Sequence, residues 1–212
     1  VYYPLLYLAG ERHKVEVLIK GKADPHHYEL TPKDVQRLSK ADLVFTLGVE
    51  VWERRLLKEL PKSKVVVLKE GINFVNYGKF PDPHIWLSPK RYAKLVSNIK
   101  DALINWDKEG KEHYEKRYEE FMKRLKELDS LYSETLRRCK SKTLVSTHRA
   151  WEYLGMDYGL KTVSLSGVHA EEEPKPSEIK KVIDVIRKEG LKYIFAELGE
   201  DTKVAKFIAN QT

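Results

Sequence analysis

Residues 108 to 138 form about thirty residues of unbroken helical periodicity, with basic and acidic side chains interleaved along "KRYEEFMKRLKELDSLYSETLRR". A helix of that length extends roughly 45 Å at a rise of about 1.5 Å per residue. That exceeds the width of one lobe in a chain of 212 residues, so the segment reads as a strut between two bodies rather than a part of one core. Short β-branched runs alternate with amphipathic segments on both sides of it. Before it come "VEVLI" at 15–19, a helix at 31–40, "LVFTL" at 43–47, a helix around 50–59, "VVVL" at 65–68 and the helical stretch "PKRYAKLVSNIKDALINWD". After it come "TLVST" at 143–147, a helix at 150–158, "KTVSLS" at 161–166, a helix from Ser177 to Glu189 and "KYIFAE" at 192–197. Strand and helix in alternation predict an α/β fold of two lobes, each with a mostly parallel sheet flanked by helices, joined by one long backbone helix. The expected division is an N-terminal lobe at 1–107, the connecting helix at 108–138 and a C-terminal lobe at 139–212.

Composition limits the function. The chain carries 39 Lys and Arg against 32 Asp and Glu, a formal net charge of +7. Taken alone, that points to nucleic acid or an anionic membrane. The cations are mostly interleaved with Glu on helical segments, as on a solvated helix face, which argues against nucleic-acid binding. The single cysteine, Cys139, excludes an intramolecular disulfide and a Cys-cluster metal site. No run of about 18 apolar residues is present to span a membrane, so membrane association is expected only through an anchor or partner outside these residues. The opening "VYYPLLYLAG" lacks the basic start and small-residue cleavage site of a signal peptide, as expected of a mature or trimmed chain.

One phrase is written twice. "ADPHHYELTP" at 23–32 returns as "PDPHIWLSP" at 81–89: Asp-Pro-His, an aromatic two residues on, then Leu, a hydroxyl residue and Pro. Thr31 and Ser88 are good helix N-caps, with Pro32 and Pro89 at the first helical position, where a missing N–H costs nothing. Pro25 and Pro83 stiffen the loops ahead. Each phrase thus aims one imidazole, His26 or His84, from a rigid loop just before a helix. His148 follows the strand "TLVST" directly, at the carboxyl end where ligand sites of open α/β sheets lie. Neutral imidazole is the commonest metal ligand at physiological pH, and three histidines with one oxygen donor suit tetrahedral zinc.

The bland reading of each histidine is a turn or helix-capping residue, and only the shared setting of these three sets it aside. His13, His113 and His169 have no such setting and read as surface residues. His27, next to His26 on an extended loop, is expected to face solvent or a neighbouring carboxylate. Glu197, at the end of "KYIFAE", is a candidate to orient a ligand histidine from behind, with an ordinary salt bridge as the alternative. The run Glu171 to Glu173 reads as solvated sequence before the helix capped at Ser177, or as the rim of a cleft. No Gly-rich phosphate loop, Ser/His/Asp spacing or HExxH helix is present.

"ADPHHYELTPKDVQRLSKADLVFTLGVEVWERRL", "DPHIWLSPKRYAKLVSNIKDAL" and "STHRAWEYLGMDYGL", followed by "SGVHAEEEPKPSEI", resemble the metal-binding lipoprotein family, the solute-binding receptors of zinc and manganese ABC importers. The resemblance covers nearly the whole chain in order. It implies two α/β lobes joined by a long helix, with limited lobe movement and the metal held between them. Matched motif to motif, His26 takes the place of the ligand in the family's "PHxYE" phrase and His84 that in "DPHxWL". His148 takes a strand-end position that is His in zinc-type members and often Glu in manganese-type ones. "GINFVNYGKFPDPH" departs from the family in lacking the His- and Asp-rich loop that zinc-type members often carry there. The family also continues past the equivalent of "KFIANQT" with a strand, a helix and commonly a metal-binding carboxylate. The expectation is therefore a C-terminal lobe without its outer strand, and a fourth metal position that is empty or held by water or a neighbouring molecule.

The combined expectation is an extracytoplasmic receptor, not an enzyme, that captures Zn(II) through His26, His84 and His148 and delivers it to an ABC-transporter permease in the membrane. A Mn(II) receptor of the same fold is the first alternative, opposed by His148 because manganese prefers carboxylate oxygen. A three-histidine zinc hydrolase would need an open coordination position and a nearby base. An oxyanion receptor would use the helix N-termini at Thr31 and Ser88.

Overall fold

The structure is a computed structural model and describes residues 1–21, 24–167, 174–197 and 202–212. His169 and the Glu171 to Glu173 run lie outside the described residues. The chain forms two compact units, Val1–Asp129 and Ser130–Thr212.

In the first unit α1 (Tyr2–Ala9) is followed by a long irregular stretch and then α2 (Pro32–Ser39), β1 (Val44–Thr46), α3 (Val51–Glu59) and β2 (Val65–Val67). β1 and β2 pair in parallel, Val44 opposite Val65, with α3 as the crossover. Leu30, Val44, Leu56 and Leu60 close a small core here, with Leu18, Val35 and Trp52 packed against it. A short antiparallel pair, β3 (Asn76–Tyr77) and β4 (Phe80–Pro81), leads into α4 (Pro89–Trp106). The N-caps predicted for α2 and α4 are those found. Thr31 accepts from the Asp34 N–H and Ser88 from the Arg91 N–H, with Pro32 and Pro89 next in line.

α5 (Lys111–Arg138) is the long helix, 28 residues. It starts three residues later than its periodicity suggests because Lys108–Gly110 tighten into a 3-10 turn, with the Asp107 side chain accepting from the Gly110 N–H. Its Tyr114, Phe121 and Leu125 are buried, and Phe121 lies between the rings of Tyr3, Tyr7 and Tyr92. Burial pushes the Tyr92 hydroxyl up to about 12. The boundary between the units falls within α5, after Asp129.

In the second unit β5 (Thr143–Ser146), α6 (Glu152–Tyr158) and β6 (Lys161–Ser164) repeat the parallel strand-helix-strand unit, Thr143 opposite Lys161. α7 (Pro176–Glu189) and α8 (Lys203–Gln211) follow. Val145, Leu165, Val182, Ile186 and Ile208 are its buried core.

The structure corrects five local expectations. "VEVLI" is irregular rather than a strand: the Arg37 guanidinium takes the Val17 and Leu18 carbonyls, which a ladder would otherwise use, and Leu18 packs on the core. "KYIFAE" contributes only a parallel bridge, Ser146 to Phe195, not a continuous strand. α6 starts at Glu152 rather than 150, and α7 is capped at Lys175, with Pro176 at the first position, so Ser177 is already inside the helix.

The fifth concerns His13 and His113, which are part-buried pins rather than surface residues. His13 Nε2 meets the Tyr114 hydroxyl at 2.7 Å and Asp107 at 3.2 Å, and its ring packs on Trp106 at 4.8 Å. His113 reaches the Ala9 carbonyl at 3.2 Å, where Gly10, at φ 57, leaves room for the imidazole. The Tyr114 hydroxyl and then Arg12 hold the Asp107 carboxyl far below the usual carboxylate range. Burial, then that carboxylate, lifts the tyrosine to about 12.

Candidate metal centre

The first Asp-Pro-His phrase is an Asx-turn: Asp24 Oδ1 accepts the His26 N–H at 2.8 Å across Pro25, whose ring presets the bend. The Trp52 indole on α3 donates to the Pro25 carbonyl at 2.8 Å and pins the loop to that helix. This brings Glu50, the N-cap residue of α3, against the imidazole, and its carboxylate lies 2.8 Å from His26 Nδ1. Glu50 is held in turn by Glu53, a buried carboxylate that accepts the N–H groups of Val49 and Glu50 at 2.7 and 2.8 Å and the Thr46 hydroxyl at the end of β1. Asp24 gives its second oxygen to His27 Nδ1, 2.6 Å away. Burial raises the Asp24 carboxyl, but the hydrogen bonds from His27 and from the His26 N–H outweigh it and bring it below its ordinary value. His27 is exposed and faces both solvent and a carboxylate, the setting expected of it.

The second phrase repeats the turn in a fully buried form. Asp82 Oδ1 accepts both the His84 N–H at 2.9 Å and its ring Nδ1 at 2.7 Å. Asp82 is 0% exposed and His84 3%. The Asp82 N–H donates to the Val75 carbonyl at 2.8 Å, fixing the turn to the segment before β3, and Trp86 lies against the imidazole at 5.2 Å.

The two phrases meet. His26 Nε2 and His84 Nε2 are 3.2 Å apart, with the ring planes at 61°. Two nitrogens at about 2.0–2.1 Å from a tetrahedral zinc ion stand roughly 3.3 Å from each other, so the pair already has the spacing of two zinc ligands. With Nδ1 of each ring against a carboxylate, Nε2 is the ring nitrogen left for a metal.

In the second unit His148 follows β5 and is 6% exposed. The Ser146 hydroxyl donates to the His148 carbonyl at 2.8 Å, and the Arg149 N–H to the Gly167 carbonyl at 2.9 Å, so the backbone is fixed on both sides of the ring. Glu197 Oε2 lies 3.1 Å from His148 Nδ1. Each of the three histidines singled out by sequence therefore has a carboxylate on Nδ1. Reading the sequence identified one of these carboxylates, Glu197, and missed Glu50 and Asp82. Asp82 had a visible signal, the aspartate at the same offset in both phrases. Glu50 is 24 residues from His26 on another element, and its only cue was an acidic residue at the start of α3.

Among the described residues, no helix is long and apolar enough to cross a membrane. The chain is 31% identical over 234 residues to the zinc-binding lipoprotein AdcA of Streptococcus pneumoniae, a match that covers 99% of this chain and 46% of that protein. It thus spans about half the length of that curated relative. It is 29% identical to the high-affinity zinc uptake system protein ZnuA of Bacillus subtilis, covering 99% of this chain and 73% of that one. Its fold superposes on the crystal structure of the Zn(II)-bound ZnuA-like domain of Streptococcus pneumoniae AdcA with a TM-score of 0.85 at 33% identity, over 100% of this chain and 80% of that one. The family model described as zinc-uptake complex component A, periplasmic, matches residues 2–212, and the chain belongs to that ZnuA family.

Proposed function

We propose that this protein is an extracytoplasmic receptor that captures Zn(II) and passes it to the permease of an ABC importer. His26, His84 and His148 are the protein's metal ligands in this reading. The observation that carries it is the His26–His84 pair: two nearly buried imidazoles with Nε2 atoms 3.2 Å apart and a carboxylate on each Nδ1. Imidazole donors without thiolate favour zinc over softer-site metals, and three imidazoles favour it over manganese. The relatives' zinc-binding names support the same cargo. The division into lobes 1–107 and 139–212 and a connecting helix 108–138 belongs to the same reading, with His26 and His84 in the first lobe and His148 in the second.

A receptor fits the site better than a hydrolase. Glu50, Asp82 and Glu197 all engage imidazole Nδ1, whereas a zinc hydrolase needs a base beside its metal-bound water. The test is elemental analysis of protein purified without chelator, followed by calorimetric competition between Zn(II) and Mn(II). Stoichiometric zinc, bound more tightly than manganese and lost in a His84→Ala variant, is the expected result. Tighter Mn(II) binding at the same site would overturn the choice of metal, and bound phosphate or sulfate with no metal would overturn the reading itself.

A further inference from the structure

The carboxylates behind the first-unit histidines are arranged to do one specific thing, and the argument rests on the zinc-receptor reading above. A neutral imidazole has two tautomers, and only the one with hydrogen on Nδ1 leaves Nε2 able to bind a metal. In free solution neither is enforced. Here Asp82 Oδ1 takes the backbone N–H and the ring Nδ1 of His84 with the same oxygen, 2.9 and 2.7 Å away, so one buried group fixes the residue's backbone and its tautomer together. Glu50 does the second of these for His26 from a different element, at 2.8 Å. Its own position is set from below by buried Glu53, which bonds the N–H of Glu50, the N–H of Val49 and the hydroxyl of Thr46. That chain runs from the end of β1 through the N-terminus of α3 to the ring.

We infer that Glu50 and Asp82 are positioning residues for zinc: they hold hydrogen on Nδ1 of His26 and His84, so that the two Nε2 atoms, 3.2 Å apart, are the ones offered to the metal. Glu53 acts one step further back, by holding Glu50. The metal then meets a prepared pair of donors and orders neither ring on binding. Partners of this kind are worth about 10–100-fold in metal affinity.

The experiment has two readouts. Long-range proton–nitrogen correlation spectra of the metal-free wild-type protein at pH 8 should show hydrogen on Nδ1 of both His26 and His84. In Glu50→Leu, His26 should redistribute between tautomers while His84 keeps its own. Zinc affinity of Glu50→Leu should fall about 10–100-fold. Glu50→Gln should recover most of that loss, because its amide oxygen can still accept the Nδ1–H, whereas a purely steric role would not separate Leu from Gln. A bare Nδ1 on either ring in the wild type overturns the inference without any variant. So does wild-type zinc affinity in Glu50→Leu when His26→Ala has lost it. If His26→Ala itself binds zinc as the wild type does, the receptor reading has failed and this inference fails with it.

Discussion

The two Asp-Pro-His phrases start from the same backbone device and end with different wiring. In both, the aspartate accepts the N–H of the histidine two residues on, across a proline. In the second phrase the next residue is Ile85, which is buried and makes no claim on the carboxylate, so Asp82 also serves the His84 ring. In the first phrase the next residue is His27, whose Nδ1 takes the other oxygen of Asp24, and the His26 ring turns instead to Glu50 on α3. A single side chain, His27 in place of Ile85, goes with a self-contained clamp becoming one that depends on a second element. A repeated motif can thus fix where a ligand points without fixing what holds it there.

The largest test of this comparison is to remove the imidazoles themselves. His84→Ala and His26→Ala should each weaken zinc binding by more than the roughly 100-fold upper range for an outer partner, measured by competition with a chelator of known affinity. His27→Ala, at the neighbouring position, should leave affinity near the wild-type value. Equal losses from His26→Ala and His27→Ala would break the assignment of ligands within the first phrase.

Next in size are the aspartates. Asp82→Ala removes both holds on His84 and leaves buried groups without their acceptor, so it should lower zinc affinity about 10–100-fold and destabilise the metal-free protein. Asp24→Ala removes the holds on the His26 backbone and the exposed His27 ring but leaves the His26 ring on Glu50, and should cost affinity well below that. If the two variants were equivalent, the different wiring would have no energetic meaning.

The parts of this molecule legible in sequence are those in which cause and effect are neighbours along the chain. Proline, aspartate and hydroxyl cap lie within ten residues of one another, so the turns, the helix starts and the aim of His26 and His84 could be read from the phrases. The position of His148 just past the end of β5 was readable because it directly follows a β-branched run. Glu50 was not, since nothing in "GVEVWERRL" says that a tryptophan two residues on will bind the loop at Pro25. "VEVLI" was misread for the same reason: its composition fits a strand, but Arg37, 20 residues from Val17 in sequence, captures its carbonyls. His13 and His113 looked like surface residues because their partners, Asp107, Tyr114 and Ala9, are about a hundred residues away.

Acid should affect metal binding before it affects the fold. Protons compete with zinc for imidazole, so affinity should fall as the solution is acidified, in titrations from pH 8 to 5. The two phrases should contribute alike, since each supplies one ligand imidazole, and His27→Ala should leave the curve unchanged. A profile that flattens on removal of His27 would assign the proton competition to the exposed ring instead.

The smallest expected difference concerns the helix starts that close the phrases. In α2, Asp34 accepts the Thr31 N–H at 3.0 Å, the Thr31 hydroxyl at 2.6 Å and the Tyr28 hydroxyl at 2.9 Å, and the Thr31 hydroxyl in turn leads the causes that hold its carboxyl below the usual value. α4 has no acidic residue in its first turn. A depressed carboxyl contributes stability that is present above its unfolded value, about 3.9, and is lost as pH falls through the folded value. Thr31→Ala should therefore cost about 1 kcal/mol of unfolding free energy near neutral pH, by loss of the cap. Asp34→Ala should show a deficit that shrinks as the solution is acidified below the ordinary carboxylate range. Because α4 starts with no such carboxylate, substitution of Arg91, at the equivalent position of its first turn, should produce no acid-dependent deficit of this kind. Urea unfolding of the metal-free variants at pH 7 and pH 3 makes the comparison, and a deficit in Asp34→Ala that does not change between the two would show that the carboxylate's charge contributes nothing to the first helix start.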